Sequence, residues 1–145
     1  MARAQTKGLT EKDVIVQPAR RLEVPLYLSL SNWSLFFIKD AYSKKASSPT
    51  KQGEIMAMGI PIICNDIGDT GEIIKSSNAG IVVNDLSLAS YQQAIAQLPN
   101  CDNLLKEDIR QAAFRYYDLS NGTKLYKEVY EQVSLNKTKN DSSEN

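Results

Sequence analysis

The chain has 145 residues, 42% of them hydrophobic and 23% charged, enough for one domain with a sizeable core. The 17 Lys and Arg balance the 17 Asp and Glu, so no overall basic field exists to draw nucleic acid. Histidine is absent, which excludes a Ser-His-Asp triad and any His-ligated metal within this chain, and Cys64 and Cys101 have neither metal-ligand spacing nor a Cys-x-x-Cys pairing.

The opening residues lack the apolar core of a signal peptide. No apolar run approaches the roughly 20 residues of a transmembrane helix. The expectation is a cytoplasmic chain without a transmembrane segment, with a peripheral seat at the inner membrane face left open for a full-length parent.

In chain order, residues 2–9 read as the end of a helix closed by Gly8, and 13–16 as a short buried strand. Residues 17–21 turn, and 23–30 form a short helix with Leu26, Leu28 and Leu30 available for packing. A second apolar strand covers 34–38. The loop 39–48 follows it, at the end of the strand where open α/β sheets bind their ligands. A helix over 48–58 comes next, burying Ile55, Met56 and Met58, then a strand over 60–65. After the loop 66–71 come a helix over 72–77, a strand over 81–83, a helix over 86–98 opened by Asp85, and helices over 104–117 and 122–133. Leu105, Ile109, Ala112 and Phe114 are the expected core of the first of these last two. Residues 134–145 are polar, mixed in charge, and expected to be disordered.

The stretch from Ser47 to Asn65 organises the rest. Ser48 suits an N-cap, Pro49 the first helical position, and Gly59 with Pro61 a clean stop. The amides of Thr50, Lys51 and Gln52 have no acceptor inside such a helix. Lys39, Lys44, Lys45 and Lys51 gather against Asp40 alone, and a lysine at a helix N-terminus is unfavourable unless an anion answers it. Glu54 shares a face with Thr50 and Lys51; a carboxylate beside a phosphate site suits a ribose diol. Gly53 costs about 1 kcal/mol against Ala inside a helix, a cost that close approach by a neighbour or ligand explains. Neither a dinucleotide fingerprint nor a Walker loop is present.

Ser48-Pro49-Thr50-Lys51-x-x-Glu54-x-Met56-Ala57-x-Gly59-x-Pro61-Ile62-Ile63 resembles the donor-binding motif of group 1 (family 4) glycosyltransferases with the GT-B fold. The resemblance extends to Phe37-Ile38-Lys39, Ser43-Lys44, Gly68-Asp69 and Glu72-Ile73-Ile74, and ends in helices carrying Tyr116, Tyr126 and Tyr130. It implies that Ser48, Thr50 and Lys51 surround the diphosphate of a nucleotide sugar while Glu54 holds the ribose hydroxyls, with Lys39 and Ser47 also among the donor-binding residues. Arg20 is a candidate base contact, set against an ordinary surface arginine. No catalytic residue, metal or further cofactor is implied within this chain. Many members carry an acid eight positions before the Glu54 equivalent; Ala46 stands there, which leaves the sugar contact unassigned.

Strand–helix alternation predicts an α/β fold, a Rossmann-like parallel sheet flanked by helices, with the strands from 34, 60 and 80 side by side. In the doubly wound order the strand at 13–16 is third in sequence. Residues 1–133 therefore read as a partial sugar-nucleotide-binding domain, the C-terminal half of a GT-B glycosyltransferase without its N-terminal acceptor domain. The acceptor, whether glycan, lipid or protein, is not encoded here. The rival readings are a non-catalytic nucleotide-binding or interaction module of the same fold and a fragment of a sugar-nucleotide epimerase.

Overall fold

The computed structural model describes residues 2–46, 48–101 and 103–141, and the chain divides into two compact units, 1–30 and 31–145. The first unit holds helix α1 (Ala2–Gln5), a 3-10 turn (Arg21–Glu23) and helix α2 (Val24–Ser29). Its short polar ties are local. The Asp13 carboxylate accepts from both the backbone amide and the hydroxyl of Thr10 at 2.7 Å, which closes a turn over 10–13 and holds the Asp13 pKa below its ordinary value.

The expected strand at 13–16 is not formed. Asp13 is spent in that turn, Ile15 and Val16 are 80% and 75% exposed, and no ladder is paired to them. A strand exists only through hydrogen bonds to a neighbour, so a four-residue apolar run without one stays irregular. The expected packing leucines of α2 differ as well: Leu26 and Leu30 are exposed and only Leu28 is half-buried.

The second unit is a three-stranded parallel sheet flanked by helices, as the alternation predicted. Strands β1 (Ser34–Phe36), β2 (Ile62–Asn65) and β3 (Gly80–Val83) lie in the order β1-β2-β3, with Ser34 against Ile62, and Ile62 against Gly80. Helices α3 (Tyr42–Lys45) and α4 (Thr50–Ala57) join β1 to β2, and α5 (Thr70–Ser76) joins β2 to β3. Helices α6 (Leu88–Gln97), α7 (Lys106–Tyr117) and α8 (Leu119–Asp141) follow. The unit thus has Rossmann-like α/β architecture. The α8 helix occupies positions 134–141 of the expected disordered tail, because extending a helix already nucleated costs far less than starting one; positions 142–145 lie outside the described residues.

Residues alternate across a strand, so Ile63, Ile81 and Val83 share one face. There Ile81 and Val83 pack with Ala94 of α6, and Trp33, Ile63, Tyr91, Leu98 and Cys101 close around them. Ile62 and Cys64 point the other way and are fully buried, as are Met56 of α4, Ile74 of α5 and Ile109 of α7. In α7 the buried stripe is Ile109, Ala112 and Ala113, whereas Leu105 and Phe114 are 60% and 67% exposed. The small alanines face inward because α4 packs closely against α7. The cap of α6 is Ser87, whose hydroxyl accepts from the Ser90 amide; the expected opener, Asp85, accepts from the Ser87 amide instead.

Two glycines set the spacing. At Gly80, with φ of +154°, a Cβ would overlap the Ile62 carbonyl oxygen of the neighbouring strand. At Gly53 a Cβ would lie 2.6 Å from Cγ and 2.9 Å from Cβ of Tyr117, the stiff base of that side chain. Burial of Cys64 pushes its thiol up to about 12, with the Asp66 charge adding to the effect. The unfolded thiol ionises first as pH rises above 9.0, so this contribution to stability is intact below that pH and is lost toward 12.

Two outcomes follow. Gly53→Ala gains about 1 kcal/mol of helix propensity and loses about 1–3 kcal/mol to overpacking, so urea denaturation should show a net loss, and the sign should reverse on a Tyr117→Ala background. A thiol-specific disulfide reagent should modify Cys64 only as the whole protein unfolds.

Candidate functional site

Because the sheet is parallel, β1, β2 and β3 all point their carboxyl ends the same way, and the loops after them share one end of the unit. Two side-chain carboxamides tie those loops together. Asn65, at the end of β2 and 5% exposed, donates to the Ile38 carbonyl at 2.7 Å and accepts from the Ile38 amide at 2.8 Å. It thereby continues the β1–β2 ladder beyond the strands and fixes where Lys39 leaves the sheet. Gln52, fully buried in the first turn of α4, donates to the Thr70 carbonyl at 3.1 Å and so joins the start of α4 to the start of α5.

The expected Ser48 N-cap is not made. Pro49 adopts the extended conformation (φ −75°, ψ 119°) and takes the N-cap position itself, so the helix begins one residue later, at Thr50. The Ser48 side chain lies instead beside the Tyr117 phenol, which is buried and has no partner in hydrogen-bond geometry. Burial raises the Tyr117 pKa above its ordinary 10.0, and Ser48 offsets this in part.

The first turn of α4 is short of acceptors, as expected, but not for all three amides. The Gln52 amide donates to the Pro49 carbonyl at 3.0 Å, while among the described residues those of Thr50 and Lys51 have no partner. Thr50 and Glu54, one turn apart, line a groove of about 360 Å³ between α4 and the α7–α8 junction. Ala57, Ala113, Phe114, Tyr117, Asp118 and Leu119 line the rest, and Gly53 lies against Tyr117. Asp118 accepts from the Asn121 amide at 2.8 Å, whereas the Glu54 carboxylate has no hydrogen bond among the described residues. Lys51 is exposed and does not line the groove; helical periodicity sets it about 60° round the helix from Glu54.

The other sequence-predicted residues scatter in function. Lys39 is exposed, one residue past the Ile38 clamp, and Lys44 and Lys45 stand exposed on α3. Ser47 lies outside the described residues. Arg20 belongs to the first unit, where its guanidinium is 2.7 Å from the Glu23 carboxylate and hydrogen-bonded to it twice, with the side chain 87% exposed. In the loop 66–71, Asp66 binds the Lys75 ammonium at 2.6 Å and raises its pKa; both are about half exposed, and solvent leaves such a pair little weight.

Asn65, Gln52 and Tyr117 were not singled out by sequence. Gln52 carried a signal: it recurs with Ile55, Met56 and Gly59 on the buried side of the helix period. Among the described residues, no helix is long and apolar enough to cross a membrane. Compared with protein-family models, with curated proteins and with solved structures, the chain matches none.

Replacing Asn65 by Leu removes both bonds to Ile38 and leaves that backbone pair unanswered in a half-buried place. The expected cost is about 1–3 kcal/mol, with hydrogen exchange of the Ile38 amide accelerated more than that of the Ile63 amide in β2. Equal acceleration at both would show a global effect only.

Proposed function

We propose that this chain is the donor-binding part of a GT-B glycosyltransferase, and that its α4 N-terminus holds the diphosphate of a nucleotide sugar. One observation carries the reading: Thr50 and Glu54 line a single groove that runs along α4 from its first turn, where among the described residues two backbone amides lack partners. Free amides and the positive end of the helix dipole attract phosphate. Lys51 supplies a full charge beside them, and the lysines at 39, 44 and 45 add to the field. On this reading the diphosphate is neutralised by ammonium groups and amides rather than by a metal ion.

Glu54 then takes the ribose hydroxyls, since a carboxylate accepts two hydrogen bonds from a diol and repels phosphate. The two requirements fix the polarity of the ligand along the helix, with phosphate at its tip and ribose one turn inward. In a full-length parent the same contacts stabilise the departing nucleoside diphosphate, the half of the transfer that electrostatics can supply. The acceptor and its activation belong to the other half, and no residue here is assigned to that role. A purely nucleotide-binding module of the same fold requires the same grip and differs only in lacking transfer.

Titration with UDP, followed by NMR, is expected to shift the amides of Thr50 and Lys51 and the side chain of Glu54. Lys51→Ala should weaken binding by about 1.5–3 kcal/mol, the worth of a hydrogen bond to a charged group. Binding that ignores both Lys51→Ala and Glu54→Gln, or an absence of shifts in the first turn of α4, refutes the reading. Sugar transfer by a complete parent enzyme, lost in Lys51→Ala, separates the glycosyltransferase from the module.

A further inference from the structure

Beyond Leu119, which lines the groove, helix α8 is the largest feature that the donor site leaves unused. Every residue from 119 to 135 except Gly122 is exposed, and among the described residues no other element packs along the helix past Leu119. Leu119, Tyr126, Val129, Tyr130 and Val133 recur at helical spacing on one side, with Leu125 at its margin, and all are 54–82% exposed. Lys124, Lys127, Glu128 and Glu131 occupy the other side and pair along the helix at 4.0 and 3.9 Å. A continuous apolar stripe of this length marks an interaction surface.

The chemistry of the helix selects among partners. A membrane surface calls for a marked excess of cations on the polar side, but α8 carries Lys124, Lys127, Lys137 and Lys139 against Glu128, Glu131 and Asp141, an excess of one. A second copy suits the stripe better. With the two helices antiparallel and Tyr126 opposite Val129 of the second copy, Gly122 falls opposite Val133, so along the centre of the seam Tyr126 meets a smaller residue and Val133 meets a glycine. Gly122 leaves open space on its own helix, since a Cβ there would meet nothing within 4 Å. A parallel pair would instead set Tyr126 on Tyr126 and Gly122 on Gly122. The positions flanking the seam, Thr123, Leu125, Tyr130 and Gln132, carry no charge, so no like charges are forced together.

The area is sufficient. Aromatic side chains bury about 150–250 Å² each, so two tyrosines and four aliphatic residues from each copy bring the pair to about 1,200 Å² in total, within the range of specific interfaces. We propose that α8 pairs antiparallel with α8 of a second copy of this chain, making the protein a homodimer through a two-helix seam.

The proposal is independent of the donor reading and is tested on the whole chain by light scattering across roughly 1 to 200 µM, since dimer formation follows concentration. The mass should rise from 16.1 kDa toward twice that value. Tyr126→Glu and, separately, Val129→Lys should hold it at the monomer with unchanged circular dichroism, while Lys124→Gln on the polar side should leave the dimer intact. A monomer at every concentration overturns the proposal, as does a dimer indifferent to both seam variants. A monomer that sediments with anionic lipid vesicles overturns it in favour of a lipid surface. Spin labels at Leu119→Cys on a Cys101→Ser background fix the direction: antiparallel helices separate the two labels by about 25 Å along the axis, and labels side by side overturn the register.

Discussion

The contact between Tyr117 and Gly53 governs how the second unit presents itself. The ring base sits where any larger residue would put its Cβ, which draws α7 against α4 and aligns Ala112 and Ala113 with the interior. With that side of α4 closed, its remaining faces are assigned. Gln52, Ile55 and Met56 turn to the core, and Thr50 and Glu54 turn to the groove. The helix thus offers its first-turn amides and one uncommitted carboxylate to solvent at the end of the sheet where ligands of α/β folds are held. A glycine that weakens the helix in isolation is what makes the groove.

Two carboxamides do for the loops what Gly53 does for the helices. Asn65 treats the Ile38 backbone as one more rung of the sheet, and Gln52 bonds to the first residue of α5. Both are buried, so each bond is made where water competes poorly and where breaking it strands a polar group. The lysine loop therefore starts from a fixed point even though its charged side chains are all exposed. On the proposed reading, the amides set the direction of the bound diphosphate and the exposed lysines supply long-range attraction.

Much of the second unit was legible in the sequence, because strand–helix alternation with short apolar strands admits few arrangements. The parallel order β1-β2-β3 and the placement of α4 between the first two strands follow from it. The first unit was not legible in this way. Residues 13–16 have the composition of a strand, but composition supplies no partner, and Asp13 closes a turn with Thr10. At the site, Thr50 and Glu54 were readable from helical spacing alone. The role of Pro49 as N-cap was not, because a proline fits that position and the next one equally well in φ, and only ψ separates them. Leu105 and Phe114 fit an apolar period and are nonetheless exposed, since the tight approach of α4 selects alanines for the inner side of α7.

The conformation at residue 80 carries a consequence for how this chain is able to change over time. The backbone there is both in a region disfavoured for side-chain-bearing residues and pressed against the carbonyl of Ile62 in the next strand. Substitution by any other amino acid has to part the central strand from its neighbour before it is accommodated. Drift in the lineage is therefore free to rewrite much of the exposed surface, while glycine stays at this one position for as long as the three-stranded architecture is kept.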